Sequence, residues 1–176
     1  MKNIVRAIES VLPERRPIRH HEPFIHEKEA SYVSECLKNG IANDNWVRKL
    51  ETELARQCGT SQAICVSSGT AALHVVLLAA GVKPGEEVLV PALTFAGTAN
   101  AVSYCGAIPN FVDGAMGVNA YKLRRYLERT TCANPTKRGR LNCKTGRVIS
   151  ALIVVDLLGF PADWQKLSVV ADEFGL

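Results

Sequence analysis

Apolar and polar positions recur along this chain with two periods, separated by short runs of glycine, proline and asparagine. Between 27 and 37, Ala30, Tyr32-Val33, Cys36 and Leu37 fall at helical spacing, and Asn39-Gly40 ends the pattern. A second helix is predicted over 46–57, with Val47, Leu50, Leu54 and Cys58 on one face and Gly59 as its stop. Residues 63–66 read as a short buried strand, Ser67-Ser68-Gly69-Thr70 as a turn, and 71–80 as an apolar helix broken by Gly81-Val82-Lys83-Pro84-Gly85. A strand over 87–90 ends at Pro91, a helix over 94–104 stops at Gly106, and a strand over 108–112 closes at Asp113. Tyr121, Leu123, Tyr126 and Leu127 mark an amphipathic helix over 119–129. A hairpin over 140–149 turns at Lys144-Thr145-Gly146, a strand over 151–155 ends at Asp156, and a last helix over 162–174 stops at Gly175. Strands alternating with helices predict an α/β domain with a mostly parallel sheet and helices on both faces.

Composition narrows the class. Hydrophobic residues make up 47% of the 176 and charged ones 22%, which argues against disorder, collagen-like repeats and coiled coil. The net charge of +4 is mostly scattered. Its one concentration, Lys137-Arg138-Gly139-Arg140 with Lys144 and Arg147, lacks interleaved aromatics for base stacking and reads as surface, so no nucleic-acid partner is expected. The longest apolar run, 71–82, contains His74 and falls short of the ~20 residues that span a bilayer. Residues 1–16 lack a signal-peptide stretch, and the expectation is a cytoplasmic protein without a membrane partner. The six cysteines include no CxxC pair and are expected to be reduced, mostly buried thiols. His20, His21 and His26 lack the spacing of a metal site, so no metal is expected.

Two stretches could carry chemistry. A strand ending in Ser67-Ser68-Gly69-Thr70 and leading into a helix places free backbone N–H groups at a positive helix end, a geometry suited to phosphate. Gly69 allows close approach, and Ser68 or Thr70 can add a hydroxyl; the plainer reading of Ser68 is an N-cap. Neither GxGxxG nor a Gly-Lys-Ser/Thr loop is present, which disfavours nicotinamide enzymes and P-loop ATPases. The second stretch, Pro91-Ala92-Leu93-Thr94-Phe95, lies at the carboxyl end of a strand, where open α/β sheets bind ligands. Phe95 there reads either as core or as a wall for a flat ring.

Taken in order, Ser68-Gly69-Thr70-Ala71-Ala72-Leu73-His74, Gly81-Val82-Lys83-Pro84-Gly85-Glu86-Glu87-Val88, Val90-Pro91-Ala92-Leu93-Thr94-Phe95 and Tyr104-Cys105-Gly106-Ala107-Ile108-Pro109-Asn110-Phe111-Val112-Asp113 resemble the DegT–StrS family of sugar-nucleotide aminotransferases. His21-Glu22-Pro23-Phe24, Glu35-Cys36-Leu37, Asn142-Cys143-Lys144-Thr145-Gly146-Arg147 and Gly159-Phe160-Pro161-Ala162-Asp163 extend the resemblance over nearly the whole chain. The blocks look like the branch serving legionaminic-acid-type surface glycans. The resemblance implies the large domain of a fold-type I pyridoxal 5'-phosphate transferase, incomplete here, over 61–176, after an N-terminal helical segment over 1–60. It implies that Ser68, Gly69, Thr70 and Ala71 hold the cofactor phosphate and that Phe95 stacks on the pyridine ring. It further implies transfer of an amino group, usually from glutamate, onto a keto-sugar nucleotide, with the active site at a homodimer interface.

The same resemblance marks departures. The family's Schiff-base lysine and its ring-nitrogen aspartate are expected beyond residue 176, so no catalytic residue is named. Lys83, Lys122, Lys137, Lys144 and Lys166 lack the required context. Asp156 and Phe160 replace two usual histidines, and Asn43-Asp44-Asn45 and Gly114-Ala115-Met116-Gly117 also differ. A truncated aminotransferase, inactive alone, is therefore the leading expectation. The alternative is a non-catalytic homologue that binds a phosphate ligand or docks on an intact relative.

Overall fold

The computed structural model describes residues 2–11, 23, 25–40, 44–113, 117–135 and 138–176. The expectations resting on His20, His21, Glu22, Phe24, Asn43, Gly114 to Met116 and Lys137 lie outside these residues. The chain divides into two compact units, Met1–Cys65 and Val66–Leu176.

The first unit is helical: α1 (Lys2–Val11), α2 (Glu27–Asn39) and α3 (Asn45–Cys58). None of the three helices buries a residue. Tyr32 of α2 meets Trp46 of α3 with ring centroids 5.4 Å apart, and Lys49 lies 4.6 Å from the Trp46 ring centre. Gly59 ends α3 in the left-handed conformation, the stop its sequence predicts. The predicted strand over 63–66 does not form; Ile64 is 81% exposed, and no described segment offers that stretch a ladder. An isolated extended segment has no inter-strand hydrogen bonds to hold it as a strand.

The second unit is a five-stranded sheet with helices on both faces. Its elements are α4 (Gly69–Ala79), β1 (Glu87–Pro91), α5 (Ala96–Tyr104), β2 (Ile108–Val112), α6 (Ala120–Thr130), β3 (Thr131–Ala133), β4 (Arg140–Asn142), β5 (Val148–Leu152) and α7 (Trp164–Phe174). The strand order is β2-β1-β5-β4-β3. β1 pairs in parallel with β2 and β5, while β4 runs antiparallel to β5 and to β3. The predicted strand over 151–155 and the second arm of the predicted hairpin are one strand, β5.

β1 is an interior strand and wholly buried, as a Val/Leu-rich strand covered on both faces must be. Its alternation sorts the core: Val88 and Val90 join Leu77, Ala101, Val102 and Cys105 of the α4–α5 layer, while Leu89 joins Leu123, Leu127, Leu167 and Val170 of the α6–α7 layer. One carboxylate sits in this core. Glu87 accepts from Asn110 Nδ2 and Asn142 Nδ2, both at 2.8 Å, and from Thr145 Oγ1 at 2.6 Å, so a single side chain binds β1 to β2 and to the β4–β5 turn.

The basic stretch is not plain surface. Arg138 Nη2 donates to the carbonyls of Ala80, at 3.2 Å, and Gly81. Arg140 lies over the Phe174 ring, 5.4 Å from its centre. The cysteines also depart from expectation: Cys105 alone is buried, Cys36 and Cys65 are half-buried, and Cys58, Cys132 and Cys143 are exposed. No helix among the described residues is long and apolar enough to cross a membrane.

Candidate functional site

The N-terminal turns of α4 and α5 lie side by side and bound an open cleft of about 380 Å³. Its lining brings together Ser68, Thr70, Ala71 and Phe95, four of the five residues singled out by sequence, and adds His74 and Tyr104. Gly69, the fifth, opens α4 directly behind Ser68.

Ser68 is the N-cap of α4: its extended backbone ends the preceding segment, and its Oγ accepts the Ala71 N–H at 3.1 Å. The Ala71 donor is therefore spent, whereas the Ser68 hydroxyl keeps a proton to donate. The N–H groups of Gly69 and Thr70 find no acceptor among the described residues, as the first turn of a helix dictates. The same holds for Ala96 and Gly97 at the start of α5. Two sets of unpaired donors, each at the positive end of a helix dipole, thus open on one cleft.

Close approach of the helices depends on Gly97. A β-carbon there would stand 2.6 Å from Thr70 Oγ1 and 3.1 Å from Phe95 Cδ1. Thr94 Oγ1 and Thr98 Oγ1, 2.9 Å apart, bridge the start of α5. Phe95 is 81% exposed, so its ring is not core; it lines the cleft. Deeper along the helices, the His74 and Tyr104 rings meet edge to face at 5.8 Å. No sequence signal nominated either, because their meeting depends on how α4 packs on α5.

Among the described residues, no lysine, aspartate or glutamate lines the cleft. Lys122 pairs with Asp113 at 3.1 Å and Lys166 with Asp163 at 2.7 Å. These two lysines border a larger cavity of about 610 Å³ at the starts of α6 and α7. Asp156, which replaces a usual histidine, is absent from the cleft lining; its Oδ1 accepts the Ala162 N–H at 2.9 Å. Phe160 is exposed and likewise outside the cleft.

A phosphate and a flat ring fit these residues. Free donors at two helix ends suit the anion, the glycine leaves room for it, and an exposed aromatic face suits the ring.

The fold is that of an incomplete large domain of a fold-type I pyridoxal-phosphate transferase. The chain belongs to the DegT/DnrJ/EryC1/StrS aminotransferase family, whose sequence model matches residues 23–176. It is 34% identical over 153 residues to the GDP-perosamine synthase of Escherichia coli O157:H7, covering 86% of this chain and 38% of that protein. It is 41% identical over 93 residues to the GDP-perosamine synthase of Caulobacter vibrioides, covering 52% of this chain and 25% of that one. Among solved structures, a DegT DnrJ EryC1 StrS aminotransferase from Brucella abortus matches with a TM-score of 0.66 at 29% identity, over 89% of this chain and 42% of that one. Spr1654 of Streptococcus pneumoniae in its PLP form matches with a TM-score of 0.69 at 28% identity, over 89% of this chain and 36% of that one. The chain thus spans less than half the length of these relatives.

Proposed function

We propose that this chain supplies the phosphate- and ring-holding part of a cytoplasmic aminotransferase that moves an amino group from glutamate onto a keto-sugar nucleotide. The observation that carries the reading is the cleft in which the free N–H groups of Gly69 and Thr70 stand beside Phe95. When bound, pyridoxal 5'-phosphate supplies the electron sink for such a transfer. Gly69 and Thr70 would hold its phosphate through their N–H groups, Ser68 would add a hydroxyl proton, and Ala71 would fix the Ser68 side chain. Phe95 would cover the ring and exclude water from one face. The names of the relatives favour a GDP-linked sugar, whereas the sequence resemblance favours the legionaminic-acid-type branch. Both are keto-sugar nucleotides.

Among the described residues, the cleft lining holds no amine to bond the cofactor covalently and no carboxylate to pair with its ring nitrogen. We therefore read the chain alone as binding the cofactor without transferring amino groups, with activity requiring groups from elsewhere in a homodimer or an intact relative.

Equilibrium dialysis of the chain against pyridoxal 5'-phosphate tests this. Saturable binding is expected, displaced by inorganic phosphate and weakened several-fold in Phe95→Ala. Borohydride treatment is expected to leave the protein mass unchanged, because no cleft lysine is joined to the cofactor. Binding that ignores both phosphate and the Phe95 substitution would overturn the assignment of the cleft. Displacement by phosphate with no effect at Phe95 would instead favour a homologue that binds phosphate ligands without this cofactor.

A further inference from the structure

We propose that Cys132 and Cys143 form a reversible disulfide, a redox modification site on the antiparallel edge of the sheet. Strand register brings them together. Thr131 pairs with Asn142 and Cys132 with Leu141, so Cys143, one residue beyond Asn142, stands diagonal to Cys132. The Cys143 N–H donates to the Thr130 carbonyl at 2.9 Å and holds the backbone in place. Both side chains are exposed, and their sulfurs lie 2.9 Å apart, with the Cys143 thiol donating to Cys132. That separation is within about 1 Å of a bonded pair.

The other thiols offer no competing pair of this kind. Cys105 is buried, and burial raises its pKa above the ordinary thiol value, which disfavours the reactive thiolate. Within the pair, the hydrogen bond to Cys132 holds the Cys143 thiol above its ordinary value.

A peroxide supplies the oxidising equivalents. The Cys132 thiolate attacks one peroxide oxygen; an S–O bond forms, the O–O bond breaks, and the departing hydroxide takes up the proton that Cys132 had lost. The Cys143 sulfur then attacks the Cys132 sulfur. The S–S bond forms, the S–O bond breaks, and the oxygen leaves as a second water carrying the Cys143 proton. Two thiols and one hydrogen peroxide give one disulfide and two waters, the two electrons passing from sulfur to oxygen. A dithiol reductant reverses the bond by exchange. The bond would close the segment between β3 and β4, next to the Asn142 side chain that holds Glu87.

The test is to treat the folded chain with dilute hydrogen peroxide, block remaining thiols with N-ethylmaleimide, and map the tryptic peptides. A peptide joining residues 130–137 to 141–144 is expected, lighter than its parts by two hydrogens, with four of the six cysteines still alkylated. Dithiothreitol should restore the fifth and sixth labels. In urea the pairing should scatter over all six cysteines. Cys132→Ser, an exposed substitution, should abolish the joined peptide and leave Cys143 alkylated or oxidised to an acid. Full alkylation of Cys132 and Cys143 after peroxide would overturn the proposal, as would joined peptides pairing either one with another cysteine in the folded protein.

Discussion

Thr70 and Gly97 approach so closely that a β-carbon on Gly97 would stand 2.6 Å from the Thr70 hydroxyl oxygen. Thr70 would have to turn to another rotamer, or α4 and α5 would have to part. Gly97→Ala is expected to cost about 1–3 kcal/mol, the range for overpacking a closed site. Urea unfolding of Gly97→Ala, Thr70→Ala and the double variant reads the coupling. Part of the loss should return in the double variant. An equal loss in both backgrounds would place the strain somewhere other than Thr70.

Glu87 is a buried acceptor facing three donors. Glu87→Gln replaces one acceptor oxygen with an NH₂ group, which must face Asn110, Asn142 or Thr145. The expected loss is roughly 1–3 kcal/mol for a buried donor left unsatisfied. The urea midpoint should fall with an unchanged slope. An unaltered midpoint would mean that the network reorganises freely.

Gly139 has φ 63°, and a β-carbon there would lie 2.1 Å from the Ile149 carbonyl oxygen, whereas Gly146, at φ 69°, has open space. Alanine at 146 should cost only the conformational penalty, about 1–2 kcal/mol. Alanine at 139 should cost clearly more, because the obstacle is backbone. The difference in thermal midpoint between the two variants is the measurement, and equal shifts would contradict the close approach.

Asp163 caps α7: its Oδ1 accepts the Lys166 N–H at 3.2 Å, and its Oδ2 takes the Lys166 ammonium at 2.7 Å. The Lys166 hydrogen bonds hold its carboxyl below the ordinary aspartate value. A lowered pKa in the folded state stabilises fully above the unfolded value, and that stabilisation fades as pH falls through the folded one. The protection factors of amides at the start of α7, each exchange rate set against its intrinsic rate at the same pH, should therefore be high at neutral pH and fall on acidification. Asp163→Ala should show low protection factors throughout, without that fall.

Much of the secondary structure was legible because the elements carry their own punctuation. β2 spans 108–112 as predicted, and Gly59 and Gly175 end α3 and α7 in the left-handed conformation. Ladder membership was less legible, since it depends on distant partners. Residues 63–66 have the composition of a strand and no neighbour, while β3 has little strand character and is made by pairing with β4. α1 carried no signal clear enough to predict it. In the cleft, the residues at the helix starts were nominated by their turn chemistry and Phe95 by its place after a strand. The role of Gly97 and the meeting of His74 with Tyr104 arise only when α4 packs on α5. Arg138 read as solvated surface because local sequence cannot register a contact with Ala80, and the sulfur pair escaped notice because strand register brings it together.

The reach of Arg138 to the Ala80 and Gly81 carbonyls gives α4 a further property. One end of this helix presents bare donors while a fixed cation caps the carbonyls just past the other. The helix is therefore a polarised strut clamped at its tail, and an anion arriving at its head completes a charge pattern whose positive half belongs to the protein. Loosening the clamp would weaken anion binding from the far end of the helix, with every residue of the cleft left unchanged.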